Sequence, residues 1–172
     1  MKRLTLMRHA DAHWKDAGVP DIERPLSRRG AAAAGTMGRR LLELELVPDL
    51  LIASPARRTH HTAEIVAREL ALPVRRVLRE ESLYLASAHD TLRTVHGSGP
   101  RIGHLLVVGH NPGLSELVQL LVPEDDRGLA TAAVCSITFD CDAWSGVCAA
   151  NVRHITREAP PARLFGLFGS SG

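Results

Sequence analysis

The chain alternates short apolar runs with longer amphipathic segments over about its first 120 residues. Three of the apolar runs, at residues 4–7, 50–53 and 105–108, each stop at a cluster of polar or turn-forming residues. A short unbroken apolar run with such a boundary is typical of a buried strand. The pattern therefore predicts three buried strands, each of which delivers polar side chains to its carboxyl end.

The segments between these runs have helical spacing. Ser27 is a suitable N-cap for a helix that continues through a run of alanines to about residue 46. A second helix is predicted shortly after the apolar run at 50–53, and shorter helices are predicted at residues 91–95 and 114–121.

Three further strands are predicted at residues 74–78, 136–140 and 147–155. Strands that alternate with helices imply an α/β fold. We therefore predict a single domain over residues 1–165, with a mostly parallel central sheet flanked by helices on both faces. The Gly- and Ser-rich residues 166–172 are predicted to form a flexible tail.

Composition restricts the class of partner. The 172 residues contain 21 Lys and Arg against 19 Asp and Glu, which gives a net charge of +2 at pH 7. So small an excess gives no electrostatic reason to expect a nucleic-acid or membrane partner. The aromatic residues are two Trp, one Tyr and three Phe, too few for a surface that stacks on bases. Any anion site must therefore be local.

The sequence also suggests a compartment. No apolar run approaches the roughly 20 residues that span a bilayer. Arg8 interrupts the apolar stretch near the N-terminus before it reaches the length of a signal peptide. The three cysteines lack C-x-x-C spacing, which favours neither a disulfide framework nor a zinc site. We expect a cytoplasmic protein.

Basic side chains follow each of the three apolar runs. Arg8 and His9 follow the first, Arg58 lies just beyond the second, and His110 follows the third. In parallel sheets ligands bind beyond the carboxyl ends of strands, so these groups should meet at one edge. Guanidinium groups match the oxygens of a phosphoryl group, and an imidazole can accept that group covalently. The pattern indicates phosphoryl transfer.

Three motifs carry a resemblance to a known family: LMRHA at residues 6–10, SPARR at residues 54–58, and VGHNP at residues 108–112. With them the chain resembles the histidine phosphatase superfamily. The opening RHADA at residues 8–12 and RPLS at residues 24–27 resemble its SixA-type phosphohistidine phosphatase branch in particular.

The resemblance implies a role for each basic group. It makes His9 the nucleophile that becomes phosphorylated, Arg8 and Arg58 the clamp on the phosphoryl oxygens, and His110 a further catalytic and phosphate-binding group. The family pattern Ser-Pro-x-x-Arg places the clamp on Arg58 and leaves Arg57 as a solvated neighbour. His9 must be unprotonated to attack phosphorus, and the flanking arginine charges should favour that state.

The leaving group needs a proton, and the resemblance places the acid about three residues before a tyrosine. Glu81 precedes Tyr84 by that spacing, and Glu80 is the alternative. The relatives usually carry a glutamine before the threonine of the second helix, whereas this chain has His61. This departure affects local hydrogen bonding rather than phosphate binding.

Other residues have secondary candidate roles. Asp11 could orient the loop that follows the nucleophile, Arg24 could reach the phosphate, and Ser27 could act as a cap or at the site. Thr131 and Ala132 lie where relatives bring a loop toward the pocket. The remaining histidines have no metal-ligand spacing, and the glycines form no nucleotide-binding pattern, so we expect neither metal nor cofactor.

These observations predict a phosphatase that acts through phosphohistidine, with a phosphorylated protein as substrate, for example a histidine-phosphotransfer domain. Two alternatives remain open. One is a small-molecule phosphomonoesterase of the same superfamily. The other is a phosphate- or phosphohistidine-binding module that has kept the pocket without turnover.

Overall fold

A six-stranded sheet forms the centre of the computed structural model, which describes residues 1–14 and 17–162. Its strands are β1 (Lys2–Arg8), β2 (Leu50–Ala53), β3 (Val77–Arg79), β4 (His104–Gly109), β5 (Val134–Phe139) and β6 (Val152–Glu158). They lie in the order β3-β2-β4-β1-β5-β6.

The sheet is parallel where the candidate residues lie. β1 pairs with β4, β4 with β2, and β2 with β3, all in parallel, whereas β5 and β6 add an antiparallel edge beside β1. In this register Arg8 lies opposite Gly109, and Ala53 lies opposite Val108. The chain therefore leaves all three strands at the same level and the same edge, as the sequence predicted.

Helices cover both faces of the sheet. They are α1 (Arg28–Glu43), α2 (Arg57–Glu69), α3 (Ala88–His96) and α4 (Gly113–Leu121). Alternation along β1 divides the core, because Leu4 and Leu6 pack with α3 and α4 while Met7 packs with α1 and α2. The prediction of a mostly parallel sheet with helices on both faces is confirmed.

Some predicted boundaries are wrong. The first helix ends at Glu43 rather than near 46, because Glu45 has a φ of 56° and turns the chain away from helical geometry. The segment predicted as a strand at 74–78 begins with a 3₁₀ turn, Val74–Arg76, and only then pairs as β3. Its alternating pattern reflects exposure at the edge of the sheet rather than a half-buried strand.

The late strands also shift. The strand predicted at 147–155 begins at Val152, after 3₁₀ turns at Trp144–Gly146 and Ala149–Asn151. The buried indole of Trp144 donates to the carbonyl of Ile102 at 2.9 Å, so this segment is fixed by packing below the sheet rather than by pairing. The predicted tail, residues 166–172, lies outside the described residues.

The start of α1 is fitted against the loop that follows β1. The Ser27 hydroxyl accepts from the Gly30 amide at 2.9 Å, which confirms its role as N-cap. A Cβ on Gly30 would stand 2.0 Å from the Asp11 carbonyl oxygen, so only glycine lets the helix approach this closely. The first turn of α1 thus fixes the backbone two residues beyond His9. Across the described ranges, the helices are too short or too polar for a membrane crossing.

Candidate active site

His9 lies directly beyond β1 and is buried, with 6% of its surface exposed. Its Nδ1 lies 2.8 Å from the Ala10 carbonyl oxygen. A carbonyl can only accept, so Nδ1 carries the proton and the lone pair is on Nε2. The Ala10 amide donates to the Thr62 hydroxyl at 3.1 Å, which ties this turn to α2. The backbone thus fixes both the orientation and the tautomer of the ring.

The ring of His9 is neutral at physiological pH. Burial lowers the pKa of His9 to about 4, and the charges of Arg58 and Arg8 act in the same direction. The sequence argument relied on the arginine charges alone. Desolvation is the larger cause here, because an imidazolium at this depth would lose most of its hydration.

Arg58 lies in the first turn of α2 and is almost fully buried. Its Nη1 donates to the Asp21 carbonyl oxygen at 2.6 Å, and its Nη2 donates to the Asp21 carboxylate at 3.0 Å. Its buried Nε has no hydrogen-bond partner among the described residues. By contrast, Arg57 is exposed, as its variable position in the motif predicts.

His110 follows β4 and stands beside His9, with ring centroids 5.4 Å apart. Its Nε2 bonds to the Ser54 hydroxyl at 2.7 Å, and its Nδ1 lies 3.4 Å from Nη2 of Arg58. An arginine can only donate, so Nδ1 of His110 is unprotonated. Burial, with the neighbouring His9 and Arg58, lowers the pKa of His110 to about 3. Both imidazoles are therefore neutral in the free site.

Arg8 is held by the loop between α4 and β5, the strand next to β1. Its Nη1 donates to the Leu129 carbonyl at 3.2 Å, and the Ala132 amide donates to the Arg8 carbonyl at 3.1 Å. The loop is itself anchored through Asp125, a buried carboxylate that accepts from Arg157 at 2.6 Å. At Ala132 this loop contacts Arg8, at the position where the resemblance to relatives places a loop near the pocket.

Asp21 is the carboxylate in contact with this cluster, and the sequence analysis did not single it out. Besides Arg58, its Oδ2 accepts from the Tyr84 hydroxyl at 2.7 Å. Burial alone would raise the pKa of Asp21, but hydrogen bonds from Tyr84 and Arg58 hold it below its ordinary value. Asp21 is therefore ionised at neutral pH. It lies in a loop whose polar residues carry no periodic signal, so the sequence offered no clue to it.

The glutamates proposed as acids lie in the 3₁₀ turn before Tyr84. Glu80 is occupied as the cap of this turn, because its carboxylate accepts from the Ser82 hydroxyl at 2.7 Å. Glu81 is exposed, and within the described ranges its side chain forms no hydrogen bond or ion pair. The turn brings the Tyr84 ring to 5.7 Å from that of His110. An acid role for Glu81 remains a prediction.

The secondary candidates surround the loop after β1. The Asp11 carboxylate accepts from the Ser27 hydroxyl at 2.7 Å and from Arg29 at 3.1 Å, so Asp11 fixes the loop to α1.

Arg24 lies with its guanidinium 5.2 Å from the Trp14 ring, and Arg58 approaches the same ring at 5.6 Å. The Arg24 Nε also lies 4.0 Å from the Asp21 carboxylate, so Arg24 borders the central cluster through that carboxylate, and its contact with a phosphate stays a prediction. His61, the departure from the family pattern, is exposed.

The cluster has the chemistry of an oxyanion site. Two guanidinium groups and two neutral imidazoles meet one carboxylate, and the lone pair of His9 Nε2 is free to attack an electrophile. Within residues 1–14 and 17–162, no three His, Cys, Asp or Glu side chains are grouped so as to hold a metal ion.

The sequence matches one family model and several uncharacterised proteins. Residues 4–82 match the model of the histidine phosphatase superfamily (branch 1). An uncharacterised protein of Mycobacterium tuberculosis is 32% identical over 133 residues, which cover 77% of this chain and 80% of that protein. An uncharacterised chloroplastic protein of Arabidopsis thaliana is 31% identical over 128 residues, 70% of this chain. The match spans 59% of that plant protein's length.

Solved structures share the fold over most of the chain. A protein of Nakamurella multipartitia, provisionally named the phosphohistidine phosphatase SixA, is 25% identical with a TM-score of 0.77. The similarity covers 92% of this chain and 96% of that one. The protein histidine phosphatase SixA complexed with tungstate is 24% identical, with the same TM-score and coverage of 92% and 97%.

Three buried histidines should make stability depend on pH. Burial lowers the pKa of His104 to about 4, as it does for His9, and lowers that of His110 to about 3, from an ordinary value of 6.5. Between about pH 6.5 and 4 the unfolded chain therefore binds protons that the folded chain does not. The free energy of unfolding should fall as the pH drops through this window, by up to about 1.4 kcal/mol per pH unit for each histidine.

Urea unfolding between pH 7 and 5 tests this dependence. His104 lies away from the site, against the Thr5 hydroxyl and the Val47 carbonyl. We expect His104→Gln to reduce the slope of unfolding free energy against pH by about a third. His154→Gln, at an exposed position, is the control and should leave the slope unchanged. Equal slopes for all three proteins would show that His104 is not held neutral by the fold.

Proposed function

This chain belongs to the histidine phosphatase superfamily (branch 1), and we propose that it hydrolyses phosphoryl groups through a phosphohistidine intermediate on His9. One observation carries the proposal. The bond from Nδ1 to the Ala10 carbonyl leaves the lone pair of His9 on Nε2, and this neutral ring lies in the same cluster as Arg58.

The first step is attack on phosphorus. The lone pair of His9 Nε2 forms the N–P bond while the bond from phosphorus to the leaving atom breaks, and the leaving group takes its electron pair. Arg8 and Arg58 neutralise the charge on the equatorial oxygens, where a preorganised cation is most effective. His110 supplies a further hydrogen bond to the same oxygens if anion binding protonates it.

The second step is hydrolysis of the intermediate. Water attacks phosphorus, the N–P bond breaks, and its electron pair returns to Nε2 of His9. The proton stays on Nδ1 throughout and is donated to the Ala10 carbonyl oxygen, and this hydrogen bond stabilises the positive charge of the phosphorylated ring. The nucleophile is regenerated in the tautomer in which it began.

The carboxyl groups near the site are poorly placed to protonate a leaving group, which favours a substrate whose leaving group departs easily. Asp21 is ionised in the free site, Glu80 is occupied as a cap, and Glu81 is exposed. An alkoxide leaving group needs a well-placed proton donor. The imidazole of phosphohistidine leaves readily once its ring is protonated, and solvent can supply that proton. Phosphohistidine therefore fits the site better than an ordinary phosphomonoester, with Glu81 as the proposed assisting acid.

The surroundings of the site favour a protein as the carrier of that phosphohistidine. The segment between α2 and β4 forms β3, short turns and α3, and α3 packs into the core beside α4 rather than over His9. Among the described residues this segment reaches the cluster through Tyr84 and places no helix of its own above it. A protein surface can approach an uncapped site, whereas enzymes for small metabolites commonly enclose their substrate. The similarity to structures named SixA supports the same substrate class.

A comparison of substrates tests the proposal. We expect phosphate release from a phosphorylated histidine-phosphotransfer domain with a kcat/KM at least about tenfold above that for para-nitrophenyl phosphate. His9→Ala should lose about a thousandfold or more on both substrates, since the covalent route is removed. A preference for the ester would indicate a small-molecule phosphomonoesterase. Phosphate binding without release from either substrate would indicate a binding module.

Adjacent arginines provide a matched pair of variants. Arg58→Ala should lower kcat/KM by about a hundredfold or more, because it removes a buried donor to the transferred group. Arg57→Ala, one residue away and exposed, should stay within about twofold of the unaltered chain. Arg58→Lys keeps the charge without the two-pronged donor and should recover only part of the loss. Equal losses at Arg57 and Arg58 would show that the clamp is assigned to the wrong arginine.

A further inference from the structure

We propose that the outer side of α2 and the neighbouring edge strand β3 form a docking surface for an acidic protein, the carrier of the phosphoryl group. This surface, called here the arginine face, comprises Arg57, Arg68, Arg75 and Arg79. The inference rests on the proposed function and specifies how its protein substrate is recognised.

The first observation is which of the exposed arginines form ion pairs with carboxylates. In the described part of the chain, the side chains of the arginine face form no hydrogen bond or ion pair, and all four are exposed. Arginines elsewhere on the surface are mostly paired with carboxylates; these include Arg29, Arg39, Arg40, Arg93, Arg127 and Arg153. Apart from Arg28 and Arg101, the exposed arginines that have no such partner among the described residues thus lie in α2 or in the segment 75–79.

The second observation is continuity with the site. A cavity of about 370 Å³ begins at Pro55 and Arg57, the residues between Ser54 and Arg58 of the central cluster. A second cavity of about 630 Å³ continues along α2 to Arg68 and Val74. The two share His60, Glu64 and Arg79 as lining residues. A groove thus runs from the residues that precede Arg58 in the chain along α2 to the edge strand β3.

Its length and composition fit a protein. The 13 residues of α2 span about 20 Å, far more than a small phosphorylated metabolite needs. Val74 is 88% exposed and Leu78 45%, which gives the face an apolar part among its charges. An apolar centre within a charged rim is typical of protein interfaces.

The charge pattern favours an acidic protein over a nucleic acid. The four arginines of the face outnumber Glu23 and Glu64, the carboxylates that line its cavities. The basic excess attracts acidic groups. The two carboxylates would repel a continuous phosphate backbone but can pair with isolated basic residues of a protein partner.

Charge reversal on the face tests the inference. Arg75→Glu and Arg79→Glu should each lower kcat/KM for a phosphorylated, acidic histidine-phosphotransfer domain by about tenfold at low salt, mainly through slower association. Turnover of free phosphohistidine should stay within about twofold. Arg79→Lys should keep most of the activity on the domain. Arg101→Glu, at an exposed position before β4 that lines neither cavity, is the matched control and should behave like the unaltered chain.

Binding separates this inference from the proposed function. In a His9→Ala background, titration with the same phosphorylated domain should show weaker binding for Arg79→Glu than for Arg101→Glu, whether or not the chain is a phosphatase. Equal affinities would overturn the docking surface. Equal losses on free phosphohistidine would also overturn it, because they would show that the arginines act through the site. The same variants are also titrated with an oligonucleotide. If Arg79→Glu weakened that binding and left binding of the domain unchanged, the face would be assigned to nucleic acid instead.

Discussion

The site depends on the burial of two imidazole rings beside two guanidinium groups. Among the described residues, Arg8, Arg58 and two imidazoles lie together, and Asp21 is the carboxylate bonded to Arg58. Burial already disfavours the charged form of each imidazole, and the guanidinium charges add to that effect. The histidines therefore remain neutral while the arginines remain charged. A neutral imidazole that can act as a nucleophile and charged guanidinium groups that can bind an anion therefore lie side by side.

The surrounding fold serves to hold these groups in their orientations. The Ala10 carbonyl fixes the tautomer of His9, and the Ser54 hydroxyl fixes the ring of His110. Leu129, on a loop anchored through Asp125, holds Arg8 from the antiparallel edge of the sheet. Each partner is a backbone group or a side chain that is itself bonded, so these groups are oriented before any anion binds. This preorganisation is what stabilisation of a transition state requires.

Much of this arrangement could be predicted from the sequence because its signals are local. The three apolar runs that became β1, β2 and β4 are bounded by polar residues, and parallel pairing then brings His9, Arg58 and His110 to one edge. Asp21 could not be found in this way, since its contacts depend on the path of a loop without periodic pattern. Which surface arginines have a carboxylate partner and which do not likewise depends on the fold, so the sequence alone does not show it. Edge strand β3 was misplaced because its exposed residues carry little hydrophobic signal.

The most direct test of the account is the location of the phosphoryl group during turnover. The chain is mixed with a phosphorylated histidine-phosphotransfer domain, quenched in base within milliseconds, and examined by mass spectrometry and phosphorus NMR. The account requires an acid-labile, base-stable phosphoryl group on Nε2 of His9. A phosphoryl group on His110 or on Nδ1 of His9, or turnover that continues in His9→Ala, would contradict it.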